Sequence, residues 1–306
     1  INYLYLCFVF LVLFYSFGNK IFIYTNFNFP LPGLGVTMAI VKGPIQLTGS
    51  VSNISFYTRR GSDKIIARTK GGINADKLKR LPQFEGMRNQ QKEWSGVTKL
   101  ASGVRLAFGG LHRLADYNLT SVLNGLANKM QKADTTAPKG KRPVHLSQFR
   151  QALDGFNFNR NYLFNSVLRT TLSYEINRET LSATVKFPRI NTDIDVLNVQ
   201  RLPYFRLIVS LGTASDMLFN EQLGDYLPAV EALHGANAIV NSEWFPANSI
   251  IEEQDLLVQM TDKQRTLLND EVSVILSVAI EFGAVSFTGQ PEAVKYAGSG
   301  KVLKVV

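Results

Sequence analysis

The sequence predicts an α+β protein, with a β-hairpin and a helical hairpin in its N-terminal part and an antiparallel β-sandwich in its C-terminal part. Short alternating apolar runs lie on both sides of a turn-forming segment at residues 59–63. Apolar residues then recur mostly every three or four positions between residues 84 and 130, which predicts amphipathic helices. Beyond residue 155 the alternation returns in short runs separated by Gly, Asn, Asp and Pro, which indicates antiparallel strands.

A hairpin or a small three-stranded sheet is predicted after Met38, and it ends at Gly71 and Gly72. Ile54 and Phe56 alternate before the turn, and the return run at residues 64–70 is rich in β-branched residues. Five basic residues are expected at the tip and on the outer face: Arg59, Arg60, Lys64, Arg68 and Lys70. They indicate either a solvated edge that charge keeps soluble, or a face that binds an anion or a partner.

The same stretch carries a recognisable motif. Its elements are Lys42-Gly43-x-Ile45-x-Leu47-x-Gly49, then Phe56-Tyr57, then Arg68-x-Lys70-Gly71-Gly72. This pattern resembles the opening of an uncharacterised family of Bacteroidota proteins, and the similarity continues weakly through Arg88 towards residues 155–159. The resemblance implies a hairpin, then helices, then a β-rich second half. It implies no function.

Two helices are predicted after the hairpin. The first runs from Phe84 to Phe108, where Gly109-Gly110 ends it, and the second begins at Asp116 or Asn118 and ends near Lys132. Their apolar stripes are expected to pack together as a helical hairpin.

A polar loop at residues 133–142 follows, and its basic residues are Lys139, Lys141 and Arg142. Such a loop is either solvated or a phosphate contact in a nucleic-acid-binding protein. A domain boundary is predicted between residues 154 and 155. Phe156 and Phe158 lie just beyond it, and core or junction packing is favoured over stacking on bases, since no Gly-aromatic strand motif surrounds them.

The back half predicts the sandwich. Its longest alternation is Val272 to Ile280, with Ser273, Ser277 and Glu281 on the opposite face. The cysteine pair of antibody domains is absent, so any immunoglobulin likeness is architectural only. Trp244 and Phe245 lie on a predicted loop, either as a packed corner or as a recognition loop.

Residues 1–37 form an apolar leader whose only charge is Lys20. Three interpretations are open: upstream translation outside the native protein, a signal or membrane anchor, and a structured arm. A native start at Met38 predicts a cytoplasmic protein. A signal or anchor predicts an envelope or secreted protein, and only in that case is a membrane expected as a partner.

Charge is divided unevenly along the chain. The front half, residues 38–154, has 20 basic and seven acidic residues, a balance of +13. The back half, residues 155–306, has 12 basic and 17 acidic residues, a balance of −5. This division suits head-to-tail association of like subunits, and it also suits nucleic-acid binding by the front half.

No catalytic motif stands out. The single cysteine is Cys7, the three histidines are far apart, and no phosphate-binding or nucleophile-elbow pattern occurs. We therefore predict no catalytic, metal or cofactor-binding residue and infer no small-molecule substrate. The expectation is a non-enzymatic structural or interaction protein that self-assembles or docks on another protein through its basic front and acidic back. Nucleic-acid binding by the front half is the alternative, and a carboxylate-dependent hydrolase is a third.

Overall fold

A computed structural model of the chain describes residues 38–41, 49–58, 64–69 and 75–306, with the backbone alone for residues 38–41. The chain divides into an N-terminal unit, Ile1–Arg80, and a C-terminal unit, Leu81–Val306. The fold is α+β and mostly β, as the sequence predicted. Within the described residues, no helix combines the length and apolarity needed to cross a membrane.

The N-terminal unit contains an antiparallel sheet. Its described elements are β1 (Met38–Val41), β2 (Gly49–Val51), β3 (Ile54–Thr58), β4 (Ile65–Thr69) and α1 (Ala75–Arg80). The strand order is β1-β4-β3-β2, and the pairing of β3 with β4 confirms the predicted hairpin. Strand β1 adds a further strand that the sequence did not predict. Of the described side chains in this unit, only that of Ile65 is buried.

The C-terminal unit begins with helices and continues with strands. Its helices are α2 (Glu85–Ala107), α3 (Leu119–Ala133), α4 (Phe164–Val167), α5 (Thr192–Asp195) and α6 (Asp262–Arg265). Its strands are β5 (Ser173–Asn177), β6 (Ser182–Phe187), β7 (Ile190–Asn191), β8 (Tyr204–Ser215), β9 (Met217–Asn220), β10 (Asp225–Pro228), β11 (Asn237–Asn241), β12 (Phe245–Pro246), β13 (Ile250–Ile251), β14 (Gln254–Gln259), β15 (Val272–Val285) and β16 (Pro291–Val305).

A large antiparallel sheet lies at the centre of this unit. Its strand order is β11-β8-β15-β16, and β12 also pairs with β8. A smaller sheet of order β14-β6-β5 packs on one face, where side chains such as Val185, Val278 and Ile280 share one apolar cluster. The predicted packing of two sheets is therefore present.

Helices cover the other face of the large sheet. Ile275 and Ala279 point towards this layer and share a second apolar cluster with Leu100 and Val104 of α2. A two-layer sandwich would leave this face in solvent. Here Ser273, Ser277 and Glu281 are all buried, so the unit has three layers, which distinguishes it from an immunoglobulin sandwich.

The two main helices match the predicted pair. Helix α3 begins after Asn118, whose side chain accepts a hydrogen bond from the backbone N–H of Ser121 at 3.4 Å. Helix α2 ends where Gly109 and Gly110 adopt positive φ angles of 60° and 81°, which glycine tolerates because it lacks Cβ. A 3₁₀ turn at Leu111–Leu114 follows at once.

The predicted boundary between residues 154 and 155 falls inside the C-terminal unit. The segment there runs along the edge of β16, since Phe158 N donates to Gly300 O at 2.9 Å and Val302 N donates to Phe156 O at 2.8 Å. The rings of Phe156 and Phe158 pack with Phe108. The favoured packing role of these rings is confirmed, and the segment joins the helices to the sheet.

Helix α2 approaches the sheet closely at its C-terminal end. A Cβ at Gly212 of β8 would clash with the backbone carbonyl of Ala107. Further along α2, Gly96 lies against the ring of Tyr226 in the same way. Small residues at these points let the helix axis lie near the strands.

We expect Gly212→Ala to destabilise the protein by about 2 kcal/mol or more, because the added methyl group meets backbone that has little room to move. The matched control is Gly125→Ala on the exposed side of α3, where nothing lies within 4 Å of the new Cβ. That change should stabilise the helix by about 0.5 to 1 kcal/mol. Urea unfolding of both variants measures the difference, and equal effects would contradict the close approach.

Candidate interaction surfaces

The basic face predicted for the N-terminal hairpin is described only in part. Arg59, Arg60 and Lys70 lie outside the described residues. Lys64 directly precedes β4 and is exposed, and Arg68 is an exposed residue of β4 that pairs in register with Ser55. Binding of an anion or a partner at this face stays a prediction.

The basic loop at residues 133–142 folds back on the protein. Arg142 forms a two-pronged ion pair with Glu93 of α2, in which Nε to Oε1 and Nη2 to Oε2 are both 2.7 Å. The two side chains are 16% and 9% exposed. Tyr226 Oη donates to the carbonyl of Arg142 at 2.9 Å, and the backbone N–H of Gly140 donates to Glu93 at 2.8 Å. Arg142 therefore anchors the loop.

The other two cations of this loop lie nearer to solvent. Lys141 Nζ is 2.7 Å from Glu221 Oε1 and lies 5.8 Å from the ring centroid of Phe219. Lys139 is exposed and has no ion pair within the described residues. Of the three residues predicted here, Lys139 is the one that most resembles a surface contact for an anion.

Trp244 and Phe245, the predicted recognition loop, are both half-buried. The ring of Phe245 packs on Phe205, with centroids 5.9 Å apart, and β12 pairs with β8 at this point. The guanidinium carbon of Arg206 lies 4.7 Å from the ring centroid of Trp244, and the far edge of that ring rests on Gly283. Phe245 is therefore packed at a corner of the sheet, whereas the ring of Trp244 stacks against the guanidinium group of Arg206.

Glu281 of β15 holds that arginine together with a second one. Arg206 donates through Nε (2.9 Å) and Nη2 (2.6 Å) to Oε2, while Arg113 donates through Nε (2.9 Å) to Oε1. Glu281 is 1% exposed. We call Arg113, Arg206, Trp244 and Glu281 the Glu281 cluster.

Ion pairs join the basic front half to the acidic back half inside the C-terminal unit. They are Lys99–Asp225 at 2.6 Å, Arg113–Glu281 at 2.8 Å, Lys141–Glu221 at 2.7 Å and, when His145 is protonated, His145–Asp216 at 3.0 Å. Hydrogen bonds from Lys99 and Ser95 lower the pKa of Asp225 to about 2. Part of the charge division in the sequence is thus matched within one subunit.

Two acid–base groups of this unit, Asp216 and His234, serve internal contacts. The carboxylate of Asp216 accepts hydrogen bonds from the backbone and hydroxyl of Ser147, and His145 Nδ1 lies 3.0 Å from it. His234 Nδ1 accepts from the backbone N–H of Ser215 at 3.3 Å, so its Nε2 donates to the carbonyl of Lys99 at 3.1 Å. Within the described ranges, no group of three metal-ligating side chains comes together.

A two-stranded arm extends from the large sheet. Strand β8 pairs with β15 only as far as Gly283, and beyond that point the arm consists of β15 and β16 alone. Its turn is closed by Ser286 N to Gln290 O at 2.8 Å and by Gly289 N to Ser286 O at 2.9 Å. Phe287 at the tip is 100% exposed, and Val285 and Tyr296 are more than half exposed. We call residues 284–297 the hairpin arm; Val294 and Ala297 at its base return to the apolar cluster between the two sheets.

Sequence reasoning missed the Glu281 cluster and the hairpin arm. A charged residue on the polar face of the longest alternating run, Glu281, is the signal that points to the cluster. For the arm, the signal is the segment from Ser286 to Gln290, whose serine, threonine, glycine and glutamine are typical of an exposed turn and which lies between two long strands.

The comparisons with known proteins gave no similarity: no protein-family model, curated protein or solved structure matches the chain.

Replacing Glu93 with Gln should destabilise the protein by about 2 to 4 kcal/mol, because Arg142 keeps its charge at a largely buried site without a carboxylate partner. The control is Lys141→Ala, which removes an exposed pair and should cost less than about 1 kcal/mol. Equal losses in urea unfolding would show that the Glu93 pair does not anchor the loop.

Stability should fall as the pH drops below about 6.5. Burial lowers the pKa of His234 in the folded protein, so below the unfolded pKa the unfolded chain binds more protons than the folded one. The slope contributed by one histidine is at most about 1.4 kcal/mol per pH unit.

His234→Gln should flatten this dependence in urea unfolding between pH 5 and 7.5, an interval of about 2.5 units around the histidine pKa. His112, whose pKa is also lowered by burial and by the charges of Arg105 and Arg113, should maintain a smaller slope of the same sign. An unchanged slope in the His234 variant would show that His234 does not cause this pH dependence of stability.

Proposed function

We propose that the protein is a non-enzymatic interaction protein that associates with copies of itself, and that the hairpin arm makes the contact. The observation that carries this proposal is the complete exposure of Phe287 on a turn that backbone hydrogen bonds hold in place. An aromatic side chain held out in this way is a typical anchor of a protein interface. Burying it against a partner would contribute about 1.5 to 3 kcal/mol.

The form of the arm supports a role outside the core. Two strands alone are only marginally stable in water, and the arm extends past the last residue that β8 pairs. Val285 adds exposed apolar surface beside the tip, and Tyr296 adds more at the base of the arm, in the bulge opposite Phe282. The charges of the arm, Glu292 and Lys295, balance each other, so an apolar contact is favoured over one driven by charge.

A second copy is the partner that the sheet itself favours. Strand β11 is the edge strand on the opposite side of the same sheet. Its sequence from Asn237 to Asn241 has neither charge nor proline, the devices that usually protect an edge strand. Ile239 is 42% exposed there, and Leu106 of α2 is exposed nearby. An arm that docks on this edge would extend the sheet from copy to copy.

The salt dependence of association distinguishes the arm contact from the two kinds of association that depend on charge. Head-to-tail attraction between the basic front and the acidic back should weaken with salt, although ion pairs such as Lys99–Asp225 already match part of that charge within one subunit. Nucleic-acid binding by exposed cations, among them Arg68 and Lys139, should weaken more steeply. An apolar arm contact should persist.

We expect the full chain to form an oligomer at both low and high salt, about 0.05 M and 0.5 M. Phe287→Ser should weaken the association about tenfold or more, because the anchor loses its apolar surface. Light scattering on a sizing column over a concentration series measures this, with absorbance at two wavelengths to detect nucleic acid.

Leu223→Ser is the matched control, since Leu223 is a highly exposed apolar residue on the turn between β9 and β10, away from the arm. It should leave the association unchanged, whereas Ile239→Lys on the accepting edge should weaken it. A monomer at every concentration, or equal effects of the Phe287 and Leu223 variants, would contradict the proposal. Nucleic acid that co-elutes and is lost at high salt would favour the alternative.

A further inference from the structure

We infer that the Glu281 cluster is a binding site for a phosphate group, formed by Arg206 and Arg113 and oriented by Glu281 and Trp244. This inference does not depend on the hairpin arm. It starts from the arrangement of two guanidinium groups around one buried carboxylate.

The first step is the charge balance. Arg113 and Arg206 share the single negative charge of Glu281, so the three groups together carry one net positive charge. The charges of Arg105 and Arg113 both act on His112. Burial and these two charges lower the pKa of His112, so the imidazole tends to be neutral beside them. The cluster therefore has an excess of one positive charge, which favours the binding of an anion such as phosphate.

The second step is the supply of hydrogen-bond donors. The carboxylate of Glu281 accepts hydrogen bonds from Nε and Nη2 of Arg206. The third nitrogen of that guanidinium, Nη1, has no hydrogen-bond partner within the described residues. Nη1 of Arg113 makes only a long contact of 3.3 Å to the carbonyl of Gly110. Arginine N–H groups that carboxylates leave unused are the donors that phosphate oxygens accept best.

The third step is orientation. Glu281 is rigid because it belongs to β15 and is buried, and the indole of Trp244 lies under the guanidinium of Arg206. Carboxylate and ring together fix the plane of Arg206, so little side-chain entropy is lost when an anion binds. The side chain of Arg113 is 44% exposed and that of Arg206 is 21% exposed, so a ligand reaches both from solvent. Glu243 beside Trp244 is exposed, where solvent screens its charge.

Two buried polar atoms lie on the segments that lead to Arg113, α2 and the 3₁₀ turn after it. Nε of Arg105 and Nδ1 of His112 are buried atoms that have no hydrogen-bond partner among the described residues. Polar atoms buried in this way are uncommon in folded proteins and need an explanation. His112 directly precedes Arg113 in the sequence, so an anion bound to Arg113 would change the electrostatic environment of this imidazole.

The chain carries its own reporters for the test. It has two tryptophans, Trp94 and Trp244, so the indole N–H region of a nitrogen–proton NMR spectrum should show two signals. Inorganic phosphate is titrated into the full chain at an ionic strength of about 0.01 M, where charges act over about 30 Å. We expect the Trp244 signal to shift and saturate, while the exposed Trp94 signal stays in place and reports any general salt effect.

Arg206→Lys is the decisive variant. It keeps the charge and a partner for Glu281, but it loses the planar fork and the second set of donors, so phosphate affinity should fall about tenfold or more. Lys141→Ala is the control, because it removes a surface cation from a different ion pair, and it should bind as the wild type does. A second readout is the pKa of His112, which bound phosphate should raise in the wild type and leave unchanged in the Arg206 variant.

Three results would overturn the inference. One is equal and unsaturable shifts of both indole signals. Another is wild-type affinity in the Arg206 variant, which would mean that charge alone attracts the ion. The third is an unshifted His112 at saturating phosphate. Titration with acetate and with phenyl phosphate distinguishes the ligand class: acetate should bind more weakly than phosphate, and phenyl phosphate should show whether a phosphate carried on a larger molecule still fits.

Discussion

The close approach of the Ala107 carbonyl to Gly212 determines where the helical layer can lie. Because helix α2 meets the sheet there, the chain must turn at once, and Gly109 and Gly110 with positive φ angles make that turn. The following 3₁₀ turn buries Leu111 and Leu114 and carries Arg113 to the carboxylate of Glu281. A side chain at residue 212 would displace this whole path. The Glu281 cluster thus depends on a glycine in another strand.

Ion pairs complement the apolar contacts between the layers. Lys99–Asp225 and Arg113–Glu281 both join the helical segment to a strand. The Lys99–Asp225 side chains are 39% and 47% exposed, so this pair adds little net stability. Glu281 is buried, so the loss of its arginine partners would be costly. Such pairs therefore favour one alignment of helices on strands over others. Part of the unequal charge of the two halves of the sequence therefore reflects ion pairs within the C-terminal unit.

Periodicity predicted the elements of this fold better than their arrangement. Apolar residues that recur every three or four positions predicted α2 and α3, because the apolar sides of both helices face one core. The alternation from Val272 to Ile280 gave β15, but it did not reveal that helices bury the opposite face, since serines satisfy a polar pattern and also fit a close helix. Arg142 looked like a solvated cation because its carboxylate partner, Glu93, lies 49 positions away. Long-range pairing of this kind leaves no local signal.

Strand β15 connects the two surfaces proposed for function. Glu281 lies within the sheet, and Val285, four residues on, already belongs to the hairpin arm. Between them Gly283 supports the ring of Trp244, since a Cβ there would lie 2.6 Å from its Cζ3 atom. Trp244 therefore braces both Arg206 and the base of the arm, and its substitution would disturb both surfaces. Arg206 of β8 and Phe287 of the turn after β15 each belong to only one of these surfaces, so substitutions at the two residues test the proposed phosphate binding and the proposed self-association separately.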